Sequence, residues 1–159
     1  IKKGIASDSV IQEVTGIMTE LNDRALELAK KLNANAITDI TGFGLLGHLS
    51  EMIKDDSISA EIFSEKVPVL DSAQEYFENG IFSSGSQRNY ESISSDLSFE
   101  KELIDKVKLF SDAQTSGGLL MSVPDNGLNE IEEFSKNFNT KVWEIGRITS
   151  RYNGKINII

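Results

Sequence analysis

The segment Thr38-Asp39-Ile40-Thr41-Gly42-Phe43-Gly44-Leu45-Leu46-Gly47-His48 constrains this chain more than any other. A short, partly β-branched run over 34–40 leads into it as a buried strand would. Its glycines break the strand and let the backbone turn tightly. Leu45, Leu46, Leu49, Met52 and Ile53 then return at helical spacing, closed by Asp55-Asp56-Ser57. A strand–turn–helix unit of this kind leaves Thr38 and Asp39 at the strand end, beside the free N–H groups of a helix start. Those amides favour an anion, and an ionised carboxylate next to them suits a hard divalent cation. The unit is therefore compatible with magnesium–phosphate binding. It is not a Walker A loop, because no Gly-Lys-Ser/Thr follows, and it lacks the third glycine of a dinucleotide fingerprint. The plainer reading is a structural turn in which Asp39 caps the helix, and on residue types alone that reading is the better one.

The flanks decide the fold class. Ile1-Lys2-Lys3-Gly4 read as the tail of a preceding segment. Ser9 with Gln12 forms a capping-box pattern, and Val10, Val14, Ile17, Leu21, Ala25, Leu28 and Leu32 then follow steps of three and four. That spacing predicts one long amphipathic helix over 9–32, weakened at Gly16. Residues 58–63 alternate as a half-buried strand does. Val67-Pro68-Val69-Leu70 opens a short helix carrying Ala73, Tyr76 and Phe77 and closed by Asn79-Gly80. Residues 80–98 are rich in Gly and Ser without a clear period and read as a long loop, a feature that in a compact domain is usually functional or disordered. Leu103, Ile104, Val107 and Leu109 predict a helix ending near Asp112, Leu119–Val123 a strand, and Leu128, Ile131, Phe134 and Phe138 a further helix. The end reads as a hairpin, Val142–Tyr152 against Lys155–Ile159, with Asn153-Gly154 suited to a type I′ turn. Trp143, opening that hairpin, reads as core. The sum is an α+β fold, with helices packed on a mixed, largely antiparallel sheet, forming one domain over 1–159.

Composition removes several classes of function. The 159 residues carry a formal charge of −9, so the clustered cations of a nucleic-acid surface are missing. The apolar runs are too short for a membrane span or a signal-peptide core. With no cysteine there is no disulfide, thiolate zinc site or cysteine nucleophile, and a single histidine excludes a multi-histidine metal site. His48 itself, amid leucines, reads as a hydrogen-bonded structural residue, and Glu130, Glu132 and Glu133 as a solvated helix face.

Two further constellations carry polar chemistry. Ser111-Asp112-Ala113-Gln114-Thr115-Ser116-Gly117-Gly118 precedes an apolar strand, and its hydroxyls and backbone amides could present donors to a phosphate. A helix C-terminus followed by a glycine turn explains it as well. Ser83-Ser84-Gly85-Ser86-Gln87-Arg88-Asn89 places Arg88 where it could pair with a phosphate or carboxylate, or simply in a solvated loop.

Taken in order, four blocks resemble the selenophosphate synthetase (selenide, water dikinase) family. They are Ile37–His48, then Gly85 with Arg88-Asn89, then Asp112 with Gln114–Leu120, then Ile145-Gly146-Arg147-Ile148. The resemblance spans essentially the whole chain but only the C-terminal half of such an enzyme. It departs from the pattern at Ala113, where the family has Pro, and at Ser84-Gly85-Ser86, where it has a Gly pair and Thr.

The resemblance implies an α+β C-terminal domain like that of aminoimidazole ribonucleotide synthetase, joined in the whole enzyme to an N-terminal domain that holds the catalytic Cys or selenocysteine, its Lys and most magnesium-binding aspartates. The implied reaction turns ATP, selenide and water into selenophosphate, AMP and phosphate with Mg²⁺, in a cytoplasmic homodimer that engages neither nucleic acid nor membrane. It assigns Asp39 to the metal–phosphate site. It places Thr38, Thr41, Gly42, Gly44, Arg88, Asn89, Thr115, Ser116, Gly117 and Gly118 near phosphate or nucleotide, and no catalytic residue in this chain. The rival readings are the matching domain of a purine-biosynthesis or hydrogenase-maturation enzyme, against which Gln114–Gly118 and His48 weigh, and a binding or scaffold domain without ATP chemistry.

Overall fold

The computed structural model describes residues 3–54, 57–150 and 155–159, without the side chains of Asn126 and Leu128. Ile1-Lys2, Asp55-Asp56 and the Asn153-Gly154 turn lie outside them.

Residues 9–32 form two helices rather than one: α1 (Asp8–Thr19) and α2 (Asp23–Lys31). The break has local causes. The Thr19 hydroxyl bonds back to the Thr15 and Gly16 carbonyls, at 2.8 and 3.1 Å, and Glu20 leaves the helix in an extended conformation. Asn22-Asp23 then supplies a new start, the Asp23 carboxylate accepting from the Arg24 amide at 2.7 Å. The N-cap is Ser7, not Ser9; its hydroxyl accepts from the Val10 amide. The apolar stripe is therefore not continuous. No residue of α1 is buried, Ile17 is exposed, and Leu21 is 75% exposed. By contrast α2 buries Leu28 and Ala29, and Leu28 and Leu32 form a small cluster with Phe134.

The chain continues through β1 (Ala36–Asp39), α3 (Gly44–Met52), β2 (Ile58–Ile62), α4 (Asp71–Glu78), α5 (Ser84–Ile93), β3 (Leu97–Phe99), α6 (Ile104–Phe110), β4 (Leu119–Ser122), α7 (Leu128–Phe138), β5 (Gly146–Ser150) and β6 (Ile156–Ile158). The α+β class holds, with the strands in two sheets. β1 and β4 pair antiparallel, with Asp39 opposite Leu119. The second sheet runs β3-β6-β2-β5. In it β2 is antiparallel to β5 but parallel to β6, and β3 is parallel to β6. The main core lies between the sheets and α3, α5 and α6, built from Leu45, Leu46, Leu49, Ile62, Val107, Phe110, Leu120, Ile156 and Ile158.

Residues 80–98 are not a loop. Ser83 caps α5 by accepting from the Ser86 amide at 3.2 Å. The inward positions are Ser86, Asn89, Tyr90 and Ile93, spaced as one helix face, with Tyr90 and Ile93 packed on the core. Two of the four are polar, so hydropathy hides the period.

The expected terminal hairpin is also corrected. β5 and β6 do not pair; β2 lies between them. All three residues of β6 are buried, and a fully buried strand takes an interior position. Its Ile156 and Ile158 align with Ala60 and Ile62 of β2. On the other side, β5 fits because residue 146 is Gly: a β-carbon there would lie 2.1 Å from the Glu61 carbonyl oxygen. Arg147 Nε meets Glu61 Oε2 at 2.6 Å. β5 begins only at Gly146, and Trp143, ahead of it, is 51% exposed rather than core. On α7, Glu132 and Glu133 are exposed, whereas Glu130 is half-buried.

Candidate functional site

The sequence blocks that stand far apart meet around the end of β1. Ile40 follows Asp39, and its backbone continues the ladder: its N–H donates to the Gly118 carbonyl at 3.0 Å, and its carbonyl accepts from Gly117 at 2.8 Å. Thr41 accepts from the Gln114 amide at 2.9 Å and from Gly44 at 3.1 Å. The turn over 112–118 thus lies along 39–41. Gly117 allows that approach, since a β-carbon would press on Ile40 and Gln114 at about 3 Å.

α3 then leaves the site through Gly44. Its φ is +69°, and a β-carbon would fall 2.7 Å from the Asp112 carbonyl oxygen. The helix is buried from Gly44 to Leu49, so its placement is fixed by the core. His48 is buried, shares a hydrogen bond of 3.1 Å between Nε2 and the Thr41 hydroxyl, and has Glu51 3.6 Å from Nδ1. It is structural, as its setting in the sequence suggests.

Asp39 does not cap α3. The N-cap position is Phe43, with no side-chain hydrogen bond. Asp39 is exposed, and its carboxylate makes no hydrogen bond or ion pair with any described residue. Thr38 is on the opposite face of β1, half-buried, its hydroxyl turned to the Asp39 carbonyl at 3.2 Å. The free carboxylate is a hard oxygen donor suited to Mg²⁺. Among the described residues no three His, Asp or Glu side chains gather to hold a metal. Asp39 could therefore supply one such donor but, among the described residues, not a complete ligand set.

The remaining expected residues divide. Gly42 is exposed in the turn that follows β1, and Thr115, Ser116, Gly117 and Gly118 belong to the turn whose backbone pairs with Ile40 and Thr41. Asn89 is brought in as well: its Nδ2 donates to the carbonyls of Gly42 and Ser111, at 2.9 and 3.0 Å. Arg88 is exposed with no ion pair among the described residues, and nothing ties it to the turn.

One link between the sequence blocks escaped the sequence reading. Ser83 and Ser86 both donate to Asp112 Oδ1, Ser83 at 3.1 Å and Ser86 at a shorter distance. The spacing Ser-x-x-Ser, an N-cap with its third residue, was the available signal. Two clefts, of about 480 and 230 Å³, lie elsewhere: one between residues 65–68 and 142–144, the other beside Phe77 and Phe82. Neither includes Asp39, which stands on an open edge. No described helix is long and apolar enough to cross a membrane.

Known proteins resemble the chain along its full extent. The family described as AIR synthase related protein, C-terminal domain, matches residues 2–159. Selenide, water dikinase of Carboxydothermus hydrogenoformans is 38% identical over 157 residues, which is 98% of this chain and 45% of that protein. The protein of that name from Haemophilus ducreyi is 38% identical over 94% of this chain and 43% of its own length. Selenide, water dikinase 2 of Peptoclostridium acidaminophilum is 35% identical over 98% and 43%. These are the names the four sequence blocks pointed to, and the chain spans less than half the length of each. A solved thiamine-monophosphate kinase from Stenotrophomonas maltophilia K279a shares 13% identity, with a TM-score of 0.47 over 79% of this chain and 31% of its own. By its match over 2–159, the chain belongs to the AIR synthase related protein, C-terminal domain family.

Proposed function

We propose that this chain is the C-terminal part of a selenide, water dikinase, which converts ATP, selenide and water to selenophosphate, AMP and phosphate. The observation that carries the reading is Asp39: a strand-end carboxylate without a partner, beside two turns whose backbones are locked together. The similarity to three proteins of that name supports it. In this reading an N-terminal domain of the same protein, absent from these 159 residues, supplies the reacting groups and the other metal ligands. The working enzyme is a cytoplasmic homodimer.

Asp39 would be one residue holding Mg²⁺, which when bound would supply positive charge against that of the polyphosphate. The chain's own residues do the holding. Asp39 presents an oxygen at the edge of β1. The Gly42 and Gly118 amides and the amides and hydroxyls of Thr115 and Ser116 would face phosphate oxygens, while the Gly44 and Gly117 amides and the Thr41 hydroxyl hold the turns in shape. Arg88, exposed one residue from Asn89, supplies a cation on the same helix.

The test is Asp39→Asn in the full-length enzyme, scored as selenophosphate formation across a Mg²⁺ titration. Asn keeps the shape and removes the charge. Turnover should fall about 100-fold, because metal-held charge stabilisation amounts to several kcal/mol. Since Asp39 holds no cap, the melting temperature should stay at the wild-type value. Wild-type turnover with an unchanged Mg²⁺ requirement would remove Asp39 from the site.

A further inference from the structure

α5 joins the two turns of the site with side chains rather than apolar packing. Asn89 spends both protons of its amide on main-chain carbonyls: Gly42, in the turn after Asp39, and Ser111, at the head of the turn that ends in Gly118. One turn earlier on the helix, Ser86 is 2% exposed and donates to Asp112 Oδ1. The Ser83 hydroxyl, which caps the helix, reaches the same oxygen at 3.1 Å. Gln114 Nε2 donates to the Asp112 carbonyl at 3.2 Å. The backbones are close enough that a β-carbon on Gly85 would stand 3.3 Å from the Ala113 β-carbon.

We infer that Asn89 and Asp112 are positioning residues, which clamp α5 across both turns and fix the distance between Asp39 and the Thr115–Gly118 backbone. The inference rests on the reading of Asp39 given above. A helix that only covered the core would be served best by apolar residues inside, since each buried polar group must find a partner. Here Ser86 and Asn89, the inner polar side chains of α5, reach the two turns, and Ser86 otherwise meets only the capping Ser83 hydroxyl, which bonds to the same Asp112. With both donors of Asn89 occupied, its amide protons are not available to a ligand, so its contribution is geometric. Geometry is costly to lose: a ligand misplaced by about 1 Å can lower a rate about 100-fold.

The experiment uses the full-length enzyme and the variants Asn89→Ala, Asp112→Ala and Asp112→Asn. Hydrogen exchange is followed in peptides covering 40–44 and 111–118, beside kcat, KM for ATP and the melting temperature. In both alanine variants the amides of Gln114 and Gly117 should exchange about tenfold faster, as locally loosened segments do, with melting close to wild type. Their kcat should fall about 10- to 100-fold while KM for ATP moves by less than about threefold, the pattern of lost alignment rather than lost binding. Asp112→Asn still offers an oxygen to both serines, so it should restore slow exchange and most of kcat. Should Asn89→Ala fail to fold, Ser86→Ala removes one arm of the clamp and should show the same changes on a smaller scale.

Unchanged exchange in the alanine variants overturns the clamp, whatever their turnover. Faster exchange with wild-type kcat also overturns it, because the turns then need no holding for the reaction. A failure of the Asp39 reading is seen separately, as Asp39→Asn retaining turnover. The Asn89 and Asp112 variants are still decided by their own exchange and kcat.

Discussion

Gly44 lies against the Ser111–Asp112 peptide so closely that a β-carbon would stand 2.7 Å from both the Ser111 carbonyl carbon and the Asp112 carbonyl oxygen. Its backbone also has φ of +69°, where side chains are strained. Two faults therefore coincide in Gly44→Ala. The expected loss is about 2–4 kcal/mol, or about 5–15 °C in melting temperature for a chain of this size. Thermal melts decide it, and a change under about 2 °C would mean that the two turns are not held as close as described.

The partly buried Thr41–His48 hydrogen bond should be measurable as a coupling. Thr41→Val and His48→Leu each leave the other polar group short of a partner where water reaches it only in part. Each should cost about 1–3 kcal/mol, and the double variant should cost less than the sum by about 1 kcal/mol. Urea unfolding of the four proteins gives the coupling directly. Strict additivity would mean the bond contributes nothing and that His48 is held by packing alone.

The two apolar faces at the start of the chain should respond differently. Ile17 of α1 is 41% exposed, whereas Leu46 of α3 is fully buried. In the 159-residue chain Ile17→Ser should leave the unfolding midpoint near wild type, while Leu46→Ala should cost about 2–5 kcal/mol. An equal loss in both would place α1 against the core, as a single helix over 9–32 would have required.

The isolated chain should fold, by circular dichroism, yet neither hydrolyse ATP nor bind it tightly. It offers one candidate metal ligand at an open edge, while phosphoryl transfer needs metals and several charges holding the polyphosphate. Calorimetry with Mg-ATP checks this. Micromolar affinity would show that these residues make the nucleotide site by themselves.

Much of this was legible because the residues at issue carry local rules. The strand–turn–helix at 36–52 was readable, since glycines and leucines at fixed spacing allow few alternatives. The helices around Tyr76, Val107 and Phe134 followed from their apolar period. What failed depended on partners distant in sequence. α5 turns polar groups inward because its targets are carbonyls of other turns, so its period could not show as hydrophobicity. β5 and β6 look like a hairpin from their own residues, and only Ala60 and Ile62 of β2 explain why another strand separates them. Asp112 was visible within its block, but its role as the acceptor for Ser83 and Ser86 was not, because it lies 26 positions from the nearer serine. Nothing in the local sequence distinguished Asp39 as a cap from Asp39 as a free carboxylate; that turned on where Phe43 sits at the start of α3.

The placement of β6 between β2 and β3 sets a schedule for folding. β2 is made well before its parallel neighbour, residues 156–158. Among the described residues, the same three are also the only strand that β3 pairs with. Closing such distant pairings gives this sheet a high contact order, which slows folding and leaves strand edges open meanwhile. During synthesis, α3 and β1 can gather early, whereas β2 and β3 wait with unpaired edges until Ile158 has cleared the ribosome. The interval of greatest aggregation risk for this sheet therefore runs from the synthesis of β2 until residues 156–158 emerge, and a nascent-chain chaperone would have most to protect at Ile58–Ile62 and Leu97–Phe99.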